Sequence, residues 1–112
     1  MKLITAIIQP GRLEQVKQAL TEVGVHGMTV SSARGYGRQG GHKEIYRGST
    51  VKVDLVPKVR VEVLTEDQRV YDLVDAIIQA AATNTVGDGK VWVQNLDSVV
   101  RVRTGETGVD AI

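Results

Sequence analysis

The chain has 112 residues, 42% of them apolar, and a formal net charge of +1. That length suits one domain with a self-sufficient core, and the apolar share argues against disorder. The near-zero charge offers no general basic field for nucleic acid, and the lack of cysteine excludes disulfides and thiolate metal sites. The opening stretch from Met1 to Pro10 is too short and too soon broken for a signal peptide, and nothing approaches a membrane span. A cytoplasmic protein is expected.

Leu3 to Ile8 is an apolar, β-branched run closed by Pro10-Gly11, the pattern of a buried strand. From Arg12 to Val23 the apolar residues Leu13, Val16, Ala19, Leu20 and Val23 recur at helical spacing, with Gly24 where a helix ends. Gly27 to Tyr36 reads as a second strand. Lys58 to Leu64 alternates, with Val59, Val61 and Val63 on one face and Lys58, Arg60 and Glu62 on the other. Thr65-Glu66-Asp67-Gln68 has the form of a capping box. It would open a helix whose buried stripe is Val70, Leu73, Val74, Ile77, Ile78 and Ala81. Short strands over Lys90–Val93 and Val99–Val102 follow. The order β-α-β-β-α-β is that of the ferredoxin-like split βαβ fold, an α+β sandwich.

The segment from Gly37 to Asp54, between the second and third of these strands, carries four glycines and mixed charge with no sustained period. Connections this long are either functional or disordered. A device for reaching something outside the domain is the stronger reading.

Two C-terminal motifs suggest a polyphosphate grip. In Gly87-Asp88-Gly89-Lys90 a glycine turn delivers a lysine into an apolar strand, and glycines let successive amides converge on one point. In Arg101-Val102-Arg103-Thr104-Gly105-Glu106 the arginines stand two apart, so on a strand both would face one way. Taken alone, such a turn is more often a hairpin connection and such arginines a solvated strand face.

Taken together, Tyr36-Gly37-Arg38-Gln39, Tyr46-Arg47-Gly48-Ser49, Pro57-Lys58, Gly87-Asp88-Gly89-Lys90 and Arg101-Val102-Arg103-Thr104-Gly105-Glu106 resemble the PII signal-transduction family. The motifs stand in order, and the similarity covers residues 1–112 as a single domain. The resemblance implies a non-enzymatic homotrimer that senses ATP, ADP and 2-oxoglutarate and reports nitrogen and energy status. A long mobile loop, here about 37–54, would dock on target proteins such as an ammonium channel or a nitrogen-metabolism enzyme. A channel partner would recruit the protein reversibly to the membrane.

By the same resemblance, Gly87, Asp88, Gly89 and Lys90 hold the nucleotide phosphates, with Arg101 and Arg103 supplied by the neighbouring subunit. Gly35, Gly37 and Arg38 line the opposite wall, and Thr29, Glu62 and Leu64 surround adenine and ribose. On the alternating strand alone, Glu62 is nearly as well read as a plain solvent-facing carboxylate. Gln39 is implied to bind Mg²⁺ together with ATP phosphate oxygens and the keto-acid end of 2-oxoglutarate, an oxygen set suited to a hard cation. Gly40, Gly41, Lys58 and Gly87 complete the 2-oxoglutarate site, with Lys58 on the distal carboxylate. ADP lacks the third phosphate and would leave the loop in another shape.

Several positions depart from the family pattern. Nucleotidylated members carry tyrosine where this chain has Val51, so that modification has no acceptor there. Ser49 matches a position phosphorylated in some members, although an exposed serine is usually only solvated. Gln9 and Gly40 stand where relatives often have basic residues, removing positive charge from around the dicarboxylate. Weak or lost 2-oxoglutarate response, leaving an adenylate-only sensor, is therefore the alternative reading. An ATPase reading has only His26 and His42 as histidines, without a nucleophile arrangement. An RNA-binding reading lacks stacking residues, since there is no Phe and the single Trp92 sits between valines.

Overall fold

A computed structural model describes residues 1–36, 43–46, 49–52 and 55–112 of the chain. The element order is β1 (Lys2–Ile8), α1 (Leu13–Glu22), β2 (Thr29–Gly35), β3 (Lys43–Tyr46), β4 (Ser49–Lys52), β5 (Val56–Thr65), α2 (Val70–Ala81) and β6 (Gly89–Asn95). Single 3₁₀ turns precede both helices, at Pro10–Arg12 and Asp67–Arg69, and a third covers Gly108–Ala111. Four strands form one antiparallel sheet in the order β2-β5-β1-β6. This is the ferredoxin-like arrangement expected from the element order.

The central pairing puts Ile4 opposite Val63 and Val93, and Ala6 opposite Val61 and Val91. Because side chains alternate across a strand, Ile4, Ala6 and Ile8 of β1 share a face with Val61 and Val63 of β5. Val16 and Leu20 of α1 and Leu73, Ile77 and Ala81 of α2 close over that face as one core. Both helices therefore lie on the same side. The opposite face carries Leu3, Thr5 and Ile7 beside Leu64, Glu62 and Arg60, with Trp92 of β6 across from Thr5. Leu64 and Trp92 are each about two-fifths exposed there.

Helix α1 ends as its glycine implies. Gly24 takes φ +90, its N–H reaches Thr21 O at 3.0 Å, and Val25 N–H reaches Leu20 O at 2.9 Å. This paired closure satisfies two carbonyls that the helix leaves free, and it turns Val25 into the core. The Arg69 guanidinium also donates to Val23 O, tying the start of α2 to the end of α1.

Four sequence expectations are corrected. Thr65 is not a helix cap: it is the last residue of β5, buried against the core, and no side chain caps the turn that follows. Gln68 instead donates to Glu66. Ile78 lies outside the buried stripe of α2 and is 48% exposed, whereas Leu73, Ile77 and Ala81 form the inward line. The second strand is shorter than its predicted span, starting at Thr29 and ending at Gly35.

The fourth correction concerns Val99–Val102, which form no strand. A single bridge joins Val100 to Thr107, and residues 101–106 fold back as a turn. Their β-branched side chains favour a strand, but no strand among the described residues covers them: Val100 is 57% exposed and Val102 fully so.

The excursion between β2 and β5 also holds more order than its pattern suggested. β3 and β4 pair antiparallel, from Lys43 opposite Lys52 to Tyr46 opposite Ser49. Strands of four residues are too short for a period to register in sequence.

Candidate functional site

The turn leading into β6 is shaped by positive backbone angles. Asn84 has φ 62, Gly87 φ 101 and Gly89 φ 114. Glycine suits the last two, because a Cβ carries a steric penalty in that region. Gly89 also pairs with Ile8 at the edge of the ladder, and a Cβ placed on it would lie 1.7 Å from Ile7 O. Lys90 follows at once, opposite Ile7 and exposed.

The Asp88 side chain faces back into the turn. One oxygen accepts Thr83 N–H at 2.6 Å; the other accepts the hydroxyls of Thr83 and Thr85, the latter at 3.3 Å, and the Gln9 amide at 3.2 Å. The Thr83 hydroxyl, then the Thr83 amide and the weaker Thr85 bonds, hold the Asp88 carboxyl down at about 2, from 3.8. Since the folded value lies below the unfolded one, the charged form adds stability above about pH 4, and this is lost as pH falls through 2. Thermal melts of wild type and Asp88→Asn should therefore differ most near neutrality and converge toward pH 2. A gap that widens with acid would contradict this assignment.

Lys58 approaches the same turn from β5. Its Nζ donates to Gly87 O at 2.6 Å, and the residue is only 9% exposed. The polar side of the alternating strand is thus not all solvated: a carbonyl far along the chain satisfies this ammonium. Lys58 also stands opposite Ala33, two residues before Gly35, which ends β2 against Val56.

A second locus is a cavity of about 500 Å³ beneath the loop that follows α1. Thr29, Glu62 and Leu64 line it together with Gly27, Met28 and Arg69. Thr29 and Glu62 are direct cross-strand partners, so the ladder itself sets their spacing. Val109, Ala111 and Ile112 close the cavity from the C-terminal segment.

Sequence-proposed residues fall into three groups. The structure brings Lys58 to Gly87, and Thr29 to Glu62 and Leu64. It does not place Arg101 and Arg103 on a strand, so the argument from alternation fails. Arg101 N–H bonds Glu106 O at 2.8 Å, its guanidinium meets the Glu106 carboxylate at 3.0 Å, and Gly105 N–H returns to Arg101 O. Gly37, Arg38, Gln39, Gly40 and Gly41 lie outside the described residues. Ser49 and Val51 are β4 positions, paired with Tyr46 and Glu44.

Sequence reasoning missed the roles of Gln9, Thr83 and Thr85 around Asp88. Two hydroxyl residues shortly before an aspartate in a glycine turn are a usable local signal. Gln9 carries none. Among the described residues, no group of three His, Cys, Asp or Glu is arranged to hold a metal ion, and no helix is long and apolar enough to cross a membrane.

A split βαβ sandwich with a glycine-shaped turn, a lysine held against it and a cavity lined from its strands defines a small α+β domain. Comparison with known proteins names the family. The family model described as "Nitrogen regulatory protein P-II" matches residues 1–106. Relatives bearing that name include those of Rhizobium meliloti and Azospirillum brasilense, each 54% identical over 112 residues and covering 100% of both chains. The relative from Pasteurella multocida is 47% identical over the same span. The chain belongs to the P-II family, whose members are regulators and not enzymes.

Proposed function

We propose that this nitrogen-signalling regulator is a homotrimer that binds ATP or ADP in clefts between subunits and 2-oxoglutarate only alongside Mg-ATP. The observation that carries this reading is the turn at Gly87–Lys90, with Lys58 bonded to its Gly87 carbonyl at 2.6 Å. Positive φ at both glycines bends the backbone sharply there, and amides converging at such a turn would suit phosphate oxygens. Lys90 adds a point charge beside them, and Arg101 and Arg103 of a neighbouring subunit would supply planar donors. Thr29, Glu62 and Leu64 offer a mixed polar and apolar wall for adenine and ribose.

Magnesium would supply a hard cation joining phosphate and keto-acid oxygens, with Gln39 as the protein ligand carried over from the family. Lys58 would leave Gly87 O for the distal carboxylate, so the dicarboxylate acts on the start of β5 and on the segment 37–54 that precedes it. That segment would then present one of two shapes to a target protein. Recruitment to a membrane would run through a channel partner.

Titration calorimetry tests the reading. ATP and ADP should compete for one site per protomer. Arg103→Ala should weaken ATP more than tenfold, since a hydrogen bond to a charged group contributes about 1.5–3 kcal/mol. Heats from 2-oxoglutarate should appear with Mg-ATP and vanish without it. Tight 2-oxoglutarate binding in ATP-free protein would sink the metal-bridged scheme.

Gln9 favours a second reading, in which adenylates alone are sensed. It is neutral, and its amide is engaged by Asp88 at 3.2 Å instead of facing a dicarboxylate. No 2-oxoglutarate binding at millimolar ligand with Mg-ATP would select that version.

A further inference from the structure

Asp88 presents a puzzle for any anion-binding turn. A carboxylate beside converging amides should repel phosphate and compete for the same donors. Its geometry removes the conflict. A carboxylate has roughly two lone-pair positions on each oxygen; here one oxygen takes the Thr83 amide, and the Thr83 and Thr85 hydroxyls and the Gln9 amide gather on the other. The two threonine hydroxyls are also 2.7 Å from each other. Most of the carboxylate's accepting capacity is therefore directed into the turn.

Those bonds perform a task the local sequence cannot. Asn84, Gly87 and Gly89 all hold positive φ, so this short span is costly to keep in one conformation without external ties. The threonine bonds close residues 83–88 into a ring around the carboxylate. Gln9 then fastens the ring to the rigid end of β1, because it directly follows Ile8. On the other side Lys58 holds the Gly87 carbonyl. The turn is held from two strands and from within.

We propose that Asp88 is a positioning residue. Its carboxylate shapes residues 83–88 so that the amides of Gly87 to Lys90 converge on the phosphates of a nucleoside di- or triphosphate, while the carboxylate itself touches no ligand. Gln9 is its anchor to the sheet. The inference rests on the reading above that nucleotide phosphates bind this turn, and it assigns that binding to side chains that never meet the nucleotide.

The direction of one substitution separates this role from its rival. Asp88→Asn keeps the size, removes the charge and turns one acceptor oxygen into a donor. A ligand-facing carboxylate relieved of its charge would bind ATP more tightly. A positioning carboxylate should lose affinity, by roughly tenfold. Thr83→Val should lose a similar factor, and Thr83→Ser, which retains the hydroxyl, should restore near-normal binding. Adenosine, titrated by NMR, should bind all variants alike because it makes no phosphate contact. In ligand-free protein the Gly87 and Gly89 amide resonances should move in Asp88→Asn and Thr83→Val but not in Thr83→Ser. Equal or tighter ATP binding by Asp88→Asn, or unmoved glycine amides, overturns the positioning role. Failure of the unsubstituted protein to bind ATP overturns the nucleotide reading itself, a result visible before any variant is made.

Discussion

Gly89→Ala is expected to destabilise the fold by about 3 kcal/mol or more, combining a left-handed backbone penalty with steric overlap. The added Cβ would sit 1.7 Å from Ile7 O, 2.8 Å from Ile7 C and 3.3 Å from Ile8 Cα. All three are backbone atoms of β1, which is hydrogen-bonded on both edges by β5 and β6. A flexible side chain could swing aside; a central strand cannot without breaking a ladder. Gly105→Ala and Gly108→Ala supply controls, because both have positive φ but, chain neighbours aside, no atom of the described residues within 4 Å of the new methyl. Those two should each cost only about 1 kcal/mol. Urea unfolding of the three variants measures the difference, and equal losses would place the penalty in φ alone.

Ile77→Ala and Ile78→Ala should diverge sharply although the residues are neighbours. Ile77 is 1% exposed and packs in the core between α2 and the sheet; Ile78 is 48% exposed. Truncating a fully buried isoleucine removes transfer energy and leaves a cavity, about 2–5 kcal/mol in all. The half-exposed one should lose under about 1 kcal/mol. Midpoints from chemical denaturation decide the matter. Similar losses would mean that α2 is rotated from the orientation described.

The contrast at Ile77 and Ile78 also shows what was legible in the chain. Apolar spacing located both helices, and the valine alternation located β5, because these patterns encode which way a side chain faces. They do not encode the exact angular width of a buried stripe, which depends on the surface opposite. Gly24 could be read because a helix end is a local event. Thr65 was misread because its alternation within β5 placed it in the core, where a cap has no role. Val99–Val102 has the composition of a strand but no partner strand among the described residues, and pairing needs two strands. Lys58 and Asp88 were singled out by position in known motifs, while their contacts were hidden. The Lys58 partner lies 29 residues away and Gln9 lies 79 residues from Asp88, separations that only the assembled sheet brings together. The assignment of Gln39 and its neighbours in 37–41 came from resemblance and lies outside the described residues.

The two ends of the excursion between β2 and β5 leave the sheet from facing positions, Gly35 opposite Val56. The ladder therefore holds those two ends together. Closure entropy grows only logarithmically with length, about 0.6 kcal/mol per doubling. A change in the length of the excursion should therefore cost the ladder little. On the proposed reading, in which this stretch meets the target protein, selection on recognition is uncoupled from selection on the sandwich beneath it, and one stable scaffold could change clients by rewriting a single stretch of chain.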